Sequence, residues 1–202
     1  MRIAVLGTGH IGGTLGKKWL AAGHEVVFGV RDPAGPKAQA FLSSLTGARR
    51  AASLANAAEA GEVVVFAIPG GAMDEAARAY GPAVNGKIVI DTTNNVGQPV
   101  MNHVAAIVSH APASQVYRAF NTIGWDNFAN PVIGGVQADL FYCGPGGGRA
   151  TVEQLIGEVG LRPVWVGGSE QADLVDGLLK LWFQLVAGQG MGRHLAFKLL
   201  RD

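Results

Sequence analysis

The chain has few of the features that mark membrane, secreted or metal-binding proteins. It has a single cysteine, Cys143, so neither an internal disulfide nor a cysteine metal cluster can form. No run reaches the roughly 18 apolar residues of a membrane helix, and the richest, residues 178–186, is interrupted by Lys180 and Gln184. The first strand-like run starts at Arg2, which leaves no room for a secretory signal. We therefore expect a cytoplasmic protein with no metal and no membrane partner.

The chain also lacks a large excess of positive or negative charge. The 16 basic and 15 acidic residues give a formal net charge of +1, which is too small to draw a protein onto nucleic acid or an anionic membrane. The expected partners are therefore small molecules rather than nucleic acid. Cys143 ends the apolar run 140–143, where burial raises the pKa of a thiol and suppresses its reactivity, so we interpret it as a core residue.

Strand-like and helix-like runs alternate along most of the chain. Short β-rich runs predict strands over residues 2–6, 25–30, 62–68, 87–91, 116–120, 139–143 and 163–166. A predicted helix over residues 11–22 joins the first two strands into a βαβ unit. Near-continuous apolar strands favour a mostly parallel sheet covered on both faces, so the predicted fold class is α/β, a Rossmann-type doubly wound sheet.

The last part of the chain has helical periodicity over residues 170–200, interrupted by the glycine-rich segment 188–192. Four leucines there recur at the spacing of one helix face: Leu174, Leu178, Leu181 and Leu185. We expect one domain over residues 1–202, with a Rossmann part over 1–168 and a small C-terminal helical extension over 169–202. Because this extension carries more apolar side chains than a small domain needs, we expect a homodimer.

The segment after the first strand has the fingerprint of a dinucleotide site. A GxGxxG pattern between a strand and a helix is formed by Gly7, Thr8, Gly9, His10, Ile11 and Gly12. Gly7 permits the tight turn, Gly9 the approach of a pyrophosphate, and Gly12 the close packing of helix on strand. The pyrophosphate would lie on free amides at the positive end of the helix. His10 either contacts the cofactor or faces solvent.

The end of the second strand indicates which dinucleotide binds. NAD sites usually have a carboxylate about 20 residues after the fingerprint, for the ribose hydroxyls. Here Val30 is followed by Arg31, whose guanidinium suits a 2′-phosphate. Asp32 lies near the acidic position, but Pro33 follows it, so we interpret Asp32 as a helix or turn cap. Lys37 either adds a second charge on the phosphate or is solvated. The sequence therefore favours NADP.

Later strand ends supply further candidate contacts. Ala67, Ile68 and Pro69 follow the third major strand and would form a wall of the crevice in which such sheets bind ligands. Asn94 follows the next strand, where it would hold the carboxamide of the nicotinamide or form an ordinary Asx turn.

Three segments carry a resemblance to a known family: VLGTGHIGGTLGKKWLAAGHEVVFGVRDP, RAFNTIGWDNFANP and GQGMGRHLAFKLL. Through them the chain resembles the deazaflavin-dependent NADP oxidoreductases, which exchange a hydride between NADP and coenzyme F420. In the resembled enzymes a serine and an arginine after the second strand hold the 2′-phosphate. Arg31 matches the arginine, and Val30 stands at the serine position. The resemblance also implies Ala119 on the strand before the acceptor cleft, with Phe120, Asn121 and Thr122 at the cleft mouth beside the nicotinamide.

The predicted activity is hydride transfer between NADP(H) and a small-molecule acceptor. No Tyr-x-x-x-Lys pattern follows Tyr80, Tyr117 or Tyr142, and no catalytic acid or base is evident. A deazaflavin such as F420, or a flavin, removes that need, because the hydride reaches an atom of the ring system and the ring nitrogens exchange protons with water.

For the acceptor pocket we expect Thr122, Trp125 and Met191, although aromatic and methionine side chains also serve as core. Two alternatives to the F420 or flavin reaction stay open. One is a reductase of a small imine or carbonyl, and the other is a redox sensor that binds NADP(H) without turnover.

Overall fold

The first half of the chain alternates strands and helices in the computed structural model, which describes residues 1–202. Its elements are β1 (Arg2–Leu6), α1 (His10–Ala21), β2 (Glu25–Gly29), α2 (Pro36–Ser43), β3 (Arg49–Ala52), α3 (Leu54–Ala60), β4 (Val63–Phe66), α4 (Met73–Val84) and β5 (Ile88–Asp91). A short 3₁₀ turn, Gly70–Ala72, leads into α4.

The second half contains shorter strands and ends in a helix. Its elements are α5 (Val104–His110), β6 (Gln115–Arg118), α6 (Asp126–Ala129), β7 (Val132–Ile133), β8 (Val136–Gln137), β9 (Asp139–Tyr142), α7 (Arg149–Val159), β10 (Arg162–Trp165) and α8 (Ala172–Phe183). A 3₁₀ turn, Ser169–Gln171, precedes α8, and a π-helical turn, Gln184–Gly188, follows it. None of these helices has the length and apolar character needed to cross a bilayer.

Six parallel strands form the main sheet, in the order β3-β2-β1-β4-β5-β6. The chain reverses its direction of winding between β1 and β4, which gives two mononucleotide-binding halves and a crevice between them. Beyond β6 lies the parallel pair β9 and β10, joined to the sheet by an antiparallel bridge between Arg118 and Cys143. The predicted α/β doubly wound fold is confirmed.

The central strands are apolar throughout because both faces of the sheet are covered. In β1, Ile3 and Val5 point into the core layer shared with α1 and α7, whereas Ala4 and Leu6 point into the layer shared with α3 and α4. Cys143 is buried, and desolvation raises the pKa of its thiol to about 12. Its interpretation as a core residue is confirmed.

The C-terminal part departs from its predicted helix in two ways. No helix occurs after Gly188, so the helical prediction for residues 193–200 is wrong. The predicted leucine stripe also faces solvent, with Leu174 60% and Leu181 46% exposed. Core contacts are made instead by Val175 and Leu179. Because α8 is apolar on two faces, periodicity alone did not identify the buried one.

The final segment is held by side-chain hydrogen bonds rather than by helix packing. The buried carboxylate of Asp139 accepts from Arg162 Nε at 2.7 Å, from Lys198 Nζ at 3.0 Å and from the Leu199 amide at 2.6 Å. Burial alone would raise the pKa of Asp139, but these donors outweigh it and the pKa is lowered. The ionised carboxylate therefore ties the C-terminal segment to β9.

Candidate functional site

The loop between β1 and α1 is shaped by three glycines with different surroundings. Gly7 has a φ of +112°, and a Cβ there would collide with the carbonyl oxygen of Ala67. A Cβ on Gly12 would collide with the carbonyl oxygen of Gly7. Gly9, by contrast, faces open space. The first and third glycines thus serve the turn and the packing, and the second leaves room for a ligand to approach the backbone.

Helix α1 begins at His10 without a side-chain cap. The residue before it, Gly9, is extended and makes no side-chain hydrogen bond to the first turn. The first amides of a helix have no partner within it, and here they are at the positive end of a twelve-residue helix. This end of α1 is suited to bind an anion.

A cavity of about 990 Å³ opens at the carboxyl ends of β1, β2 and β4. Nine of the predicted cofactor contacts lie on its wall: Gly7, Thr8, Gly9, Val30, Arg31, Lys37, Ala67, Ile68 and Pro69. Sequence reasoning missed the wall that α4 supplies, which includes Glu75, Ala76 and Tyr80. No motif marks these residues, because only the packing of α4 beside β4 brings them to the cavity. The volume is in the range of cavities that hold small-molecule ligands.

Two cationic side chains on this wall, Arg31 and Lys37, form no ion pair within the chain. Arg31 follows β2, and Lys37 lies in the first turn of α2. Asp32 does not cap that helix, which corrects part of its predicted role: the N-cap is Gly35, followed by Pro36. Asp32 closes a turn through its backbone, since its carbonyl accepts from the Gly35 amide at 3.3 Å. The two cations are therefore free to bind an anionic ligand.

The predicted nicotinamide contacts after β6 are buried and do not line this cavity. They are Ala119, Phe120 and Asn121. Phe120 has a φ of +60°, and its ring packs edge-to-face on Trp19, with centroids 5.8 Å apart, and on Phe128, with centroids 5.7 Å apart. This residue therefore fixes the course of the chain as it leaves the sheet.

A buried charged network, unforeseen from the sequence, lies beside these residues. Arg118 is fully buried and donates to Asp176 Oδ1 from Nε at 2.9 Å and from Nη2 at 2.7 Å. Its Nη1 lies 3.4 Å from Asp91 Oδ2 and donates to the carbonyl of Thr93. Nη2 also donates to Asn94 Oδ1 at 2.7 Å. The network joins β5, β6 and α8, and it engages the side-chain oxygen of Asn94.

The three predicted acceptor-pocket residues have different surroundings. Thr122 is buried, and Met191 is 60% exposed in the irregular C-terminal segment. Trp125 stacks on His10, with ring centroids 4.4 Å apart and an interplanar angle of 13°. Trp125 therefore lies against the fingerprint loop. Met191 does not line the cavity. His10 does not line it either, so its packing role is the one observed.

Comparison with known proteins gives a family match over the first part of the chain and a similar fold over all of it. Residues 2–95 match the family described as NADP oxidoreductase, coenzyme F420-dependent. The crystal structure of a candidate F420-dependent NADP reductase from Arthrobacter sp. FB24 is similar over 100% of both chains, with a TM-score of 0.85 and 27% identity. A hypothetical protein from Sinorhizobium meliloti has a TM-score of 0.69 and 23% identity over 100% of this chain and 96% of that one.

A more distant likeness is to a longer enzyme. The reductive aminase from Aspergillus terreus, in complex with NADPH4, cyclohexanone and allyl amine, gives a TM-score of 0.69 at 22% identity. The match covers 93% of this chain but only 62% of the aminase. At 22% identity, the similarity to the aminase shows only that the two proteins share a fold. The same holds for the Sinorhizobium protein at 23% identity.

Proposed function

We propose that the chain is a member of the coenzyme F420-dependent NADP oxidoreductase family, and that it transfers a hydride between NADP(H) and a deazaflavin or flavin-type acceptor. The observation that carries this proposal is the pairing of a glycine-lined helix end with two unpaired cations across one cavity. Arg31 follows β2 and Lys37 lies in the first turn of α2, on the side where the first half of such a sheet receives the adenosine part of a dinucleotide.

The residues of the cavity fit NADP better than NAD. A guanidinium binds a phosphate through two parallel hydrogen bonds, which a ribose hydroxyl cannot match. Asp32, the nearest carboxylate, is packed against Gly35, where a Cβ would collide with it. That position is at the N-terminus of α2, where the helix dipole stabilises a carboxylate. Asp32 also lines the cavity, but it lies beside the N-terminus of α2, so we assign Arg31 as the group that binds the phosphate.

The chain's contribution to the reaction is positioning. Bound NADPH supplies the hydride, which leaves C4 of the dihydronicotinamide ring with its electron pair. The amides at the start of α1 would hold the pyrophosphate, and Arg31 with Lys37 would hold the 2′-phosphate. Phe120 and Phe128 are buried in the segment after β6, where they would help to exclude water from the second half of the crevice. Fixing two rings in this way favours hydride transfer through proximity and orientation.

Deuterium transfer tests this function directly. NADPH labelled at C4 is mixed with the protein and, separately, with oxidised F420, FMN and a cyclic imine, and the products are analysed by mass spectrometry. We expect label on C5 of F420, in a reaction that depends on the protein. Reduction of FMN, which takes the hydride at a nitrogen whose hydrogen exchanges with water, is followed by the loss of flavin absorbance. Label on the imine alone would instead support the small-substrate reductase. Tight NADPH binding without transfer to any acceptor would support the redox sensor.

We also propose that the protein is a homodimer that uses the exposed apolar face of α8. Leu174 and Leu181, which lie two turns apart on one face of α8, are 60% and 46% exposed, and an apolar patch of this kind is a liability unless it is covered. In sedimentation velocity at micromolar concentration we expect twice the 20.9 kDa monomer mass. Leu174→Glu with Leu181→Glu is expected to give the monomer.

The matched control for this prediction is Val108→Glu. Val108 is 40% exposed on α5, so the substitution adds the same charge on another face and should leave the dimer intact. A wild-type monomer at micromolar concentration would contradict the proposal.

A further inference from the structure

The cavity wall formed by α4 carries a carboxylate that no other residue pairs. Glu75 lies in the first turn of α4 and lines the cavity. Its side chain is exposed and forms no hydrogen bond or ion pair within the chain. The same cavity presents Arg31 and Lys37, which suit a phosphate. Because a carboxylate repels a phosphate, Glu75 favours such a ligand only if it accepts a hydrogen bond from another part of it.

Glu75 also stabilises its own helix, a role that it shares with Asp74. Both are acidic residues in the first turn of α4, where the helix dipole favours negative charge. Consecutive helical residues point about 100° apart around the axis, and of these two only Glu75 lines the cavity. Asp74 therefore shares the local role but not the position beside the ligand, which makes it the matched control for Glu75.

The rest of this wall is small and apolar. Four residues along one side of α4 and its N-cap line the cavity: Ala72, Ala76, Ala79 and Tyr80. The alanines leave room beside the helix, and Tyr80 adds a half-buried aromatic ring. Ligand pockets typically combine such apolar surface with a few polar groups that fix orientation. An apolar wall with one carboxylate suits a flat ring system that carries a hydrogen-bond donor at its edge.

The α4 wall lies across the cavity from the residue assigned to the 2′-phosphate. Arg31 follows β2, and α4 follows β4, with β1 between these strands in the sheet. Since neighbouring strands are about 4.8 Å apart, the two walls are separated by about 10 Å at the sheet. The base of NADP is joined to the ribose carbon next to the one that carries the 2′-phosphate. With the phosphate at Arg31, the base is the part of the adenosine that reaches α4.

The adenine base has one hydrogen-bond donor at its edge. Its exocyclic amino group donates, whereas the ring nitrogens N1, N3 and N7 only accept. An ionised carboxylate has no proton to donate and can only accept. Glu75 therefore matches the amino group and no other polar atom of the base.

We propose that Glu75 determines specificity for the base: its carboxylate accepts a hydrogen bond from the exocyclic amino group of adenine, while the apolar side of α4 holds the ring. This inference rests on the proposed binding of NADP(H). It adds recognition of the base to the recognition of the phosphate by Arg31. A dinucleotide with hypoxanthine in place of adenine should bind less tightly, since its carbonyl oxygen would meet a second acceptor.

The test compares NADP⁺ with its hypoxanthine analogue, which has a carbonyl oxygen in place of the amino group. Both ligands carry the same phosphates, so repulsion between Glu75 and the phosphates cancels in the ratio of the two dissociation constants. Calorimetry should show that the wild type binds NADP⁺ about 2- to 10-fold more tightly, the range for one hydrogen bond. Glu75→Gln should bind both ligands equally, because an amide can accept from the amino group or donate to the carbonyl.

Asp74→Asn removes the same charge from the same helical turn. It should keep the wild-type ratio, because Asp74 does not line the cavity. The two variants should have similar melting temperatures without nucleotide, since each loses one charge at the positive end of α4. A change in the ratio for Glu75→Gln alone therefore identifies a contact with the base rather than an effect on the helix.

Three results would overturn the inference and leave the proposed NADP(H) binding in place. They are equal binding of the two ligands by the wild type, an unchanged ratio in Glu75→Gln, and the same loss of preference in Asp74→Asn as in Glu75→Gln. In the second case, loss of the preference in Asp32→Asn would move the contact to the carboxylate beside α2. Failure of the wild type to bind either ligand would instead overturn the proposed function, and this inference with it.

Discussion

Replacing Arg118 with methionine is expected to lower the free energy of unfolding by about 3–5 kcal/mol, the usual effect of breaking a buried ion pair. The substitution would leave Asp91 and Asp176, both buried, without their shared counter-charge. It would also remove the donors to the Thr93 carbonyl and to Asn94. Urea unfolding followed by tryptophan fluorescence measures the change.

The control is Arg149→Met, which makes the same arginine-to-methionine change in an ion pair that is exposed to solvent. Arg149 bonds Glu153 one helical turn away, with the two side chains 42% and 31% exposed, and such pairs contribute about 0.3–0.5 kcal/mol. If Arg118→Met does not fold, adding Asp176→Leu should recover part of the loss, because removing a whole buried pair is often neutral. If Arg118→Met and Arg149→Met lowered the free energy of unfolding by the same amount, the result would contradict a stabilising role for the buried network.

Replacing Arg31 with alanine is expected to weaken NADPH binding by about 10- to 100-fold, in line with the 1.5–3 kcal/mol of hydrogen bonds to charged groups. NADH lacks the 2′-phosphate, so its affinity should change little and the preference for NADPH should be lost. The variant should fold normally, because Arg31 is exposed and forms no ion pair within the chain. Fluorescence titration with both nucleotides measures the two dissociation constants.

Arg50→Ala is the matched control for this prediction. Arg50 is an exposed residue of β3 that does not line the cavity, so the variant loses the same charge at a distance from the ligand. We expect it to leave both affinities unchanged. An equal loss of NADPH and NADH binding in Arg31→Ala would show that Arg31 supports the site generally and does not select the 2′-phosphate.

The parts of the fold that could be predicted are those with a strong local pattern. β1, α1 and β2 were predicted to within one residue at each boundary, because apolar runs and the glycine fingerprint define them. β3 was missed because its first residues are Arg49 and Arg50, which read as a polar segment and are accommodated only at the sheet edge. The C-terminal segment was predicted as helix because its leucine spacing was compatible with one, although Gly190 and Gly192 adopt positive φ values there.

The candidate site likewise contains residues that could be identified from the sequence and residues that could not. The cavity residues that directly follow strand ends could be located from a sequence motif, whereas those on α4 could not. The network of Asp91, Arg118 and Asp176 depends on contacts between residues up to 58 positions apart, and no local pattern predicts such contacts. For the same reason the sequence favoured Asn94 as a ligand contact, since its engagement by Arg118 is visible only in three dimensions.

The central proposal is that this chain binds NADP(H) selectively, and calorimetric titration of the wild-type protein with NADPH and with NADH tests it most directly. The account predicts that NADPH binds at least about tenfold more tightly, the smallest effect expected of a charged hydrogen-bonding group such as Arg31. Equal affinities, or tighter binding of NADH, would contradict it.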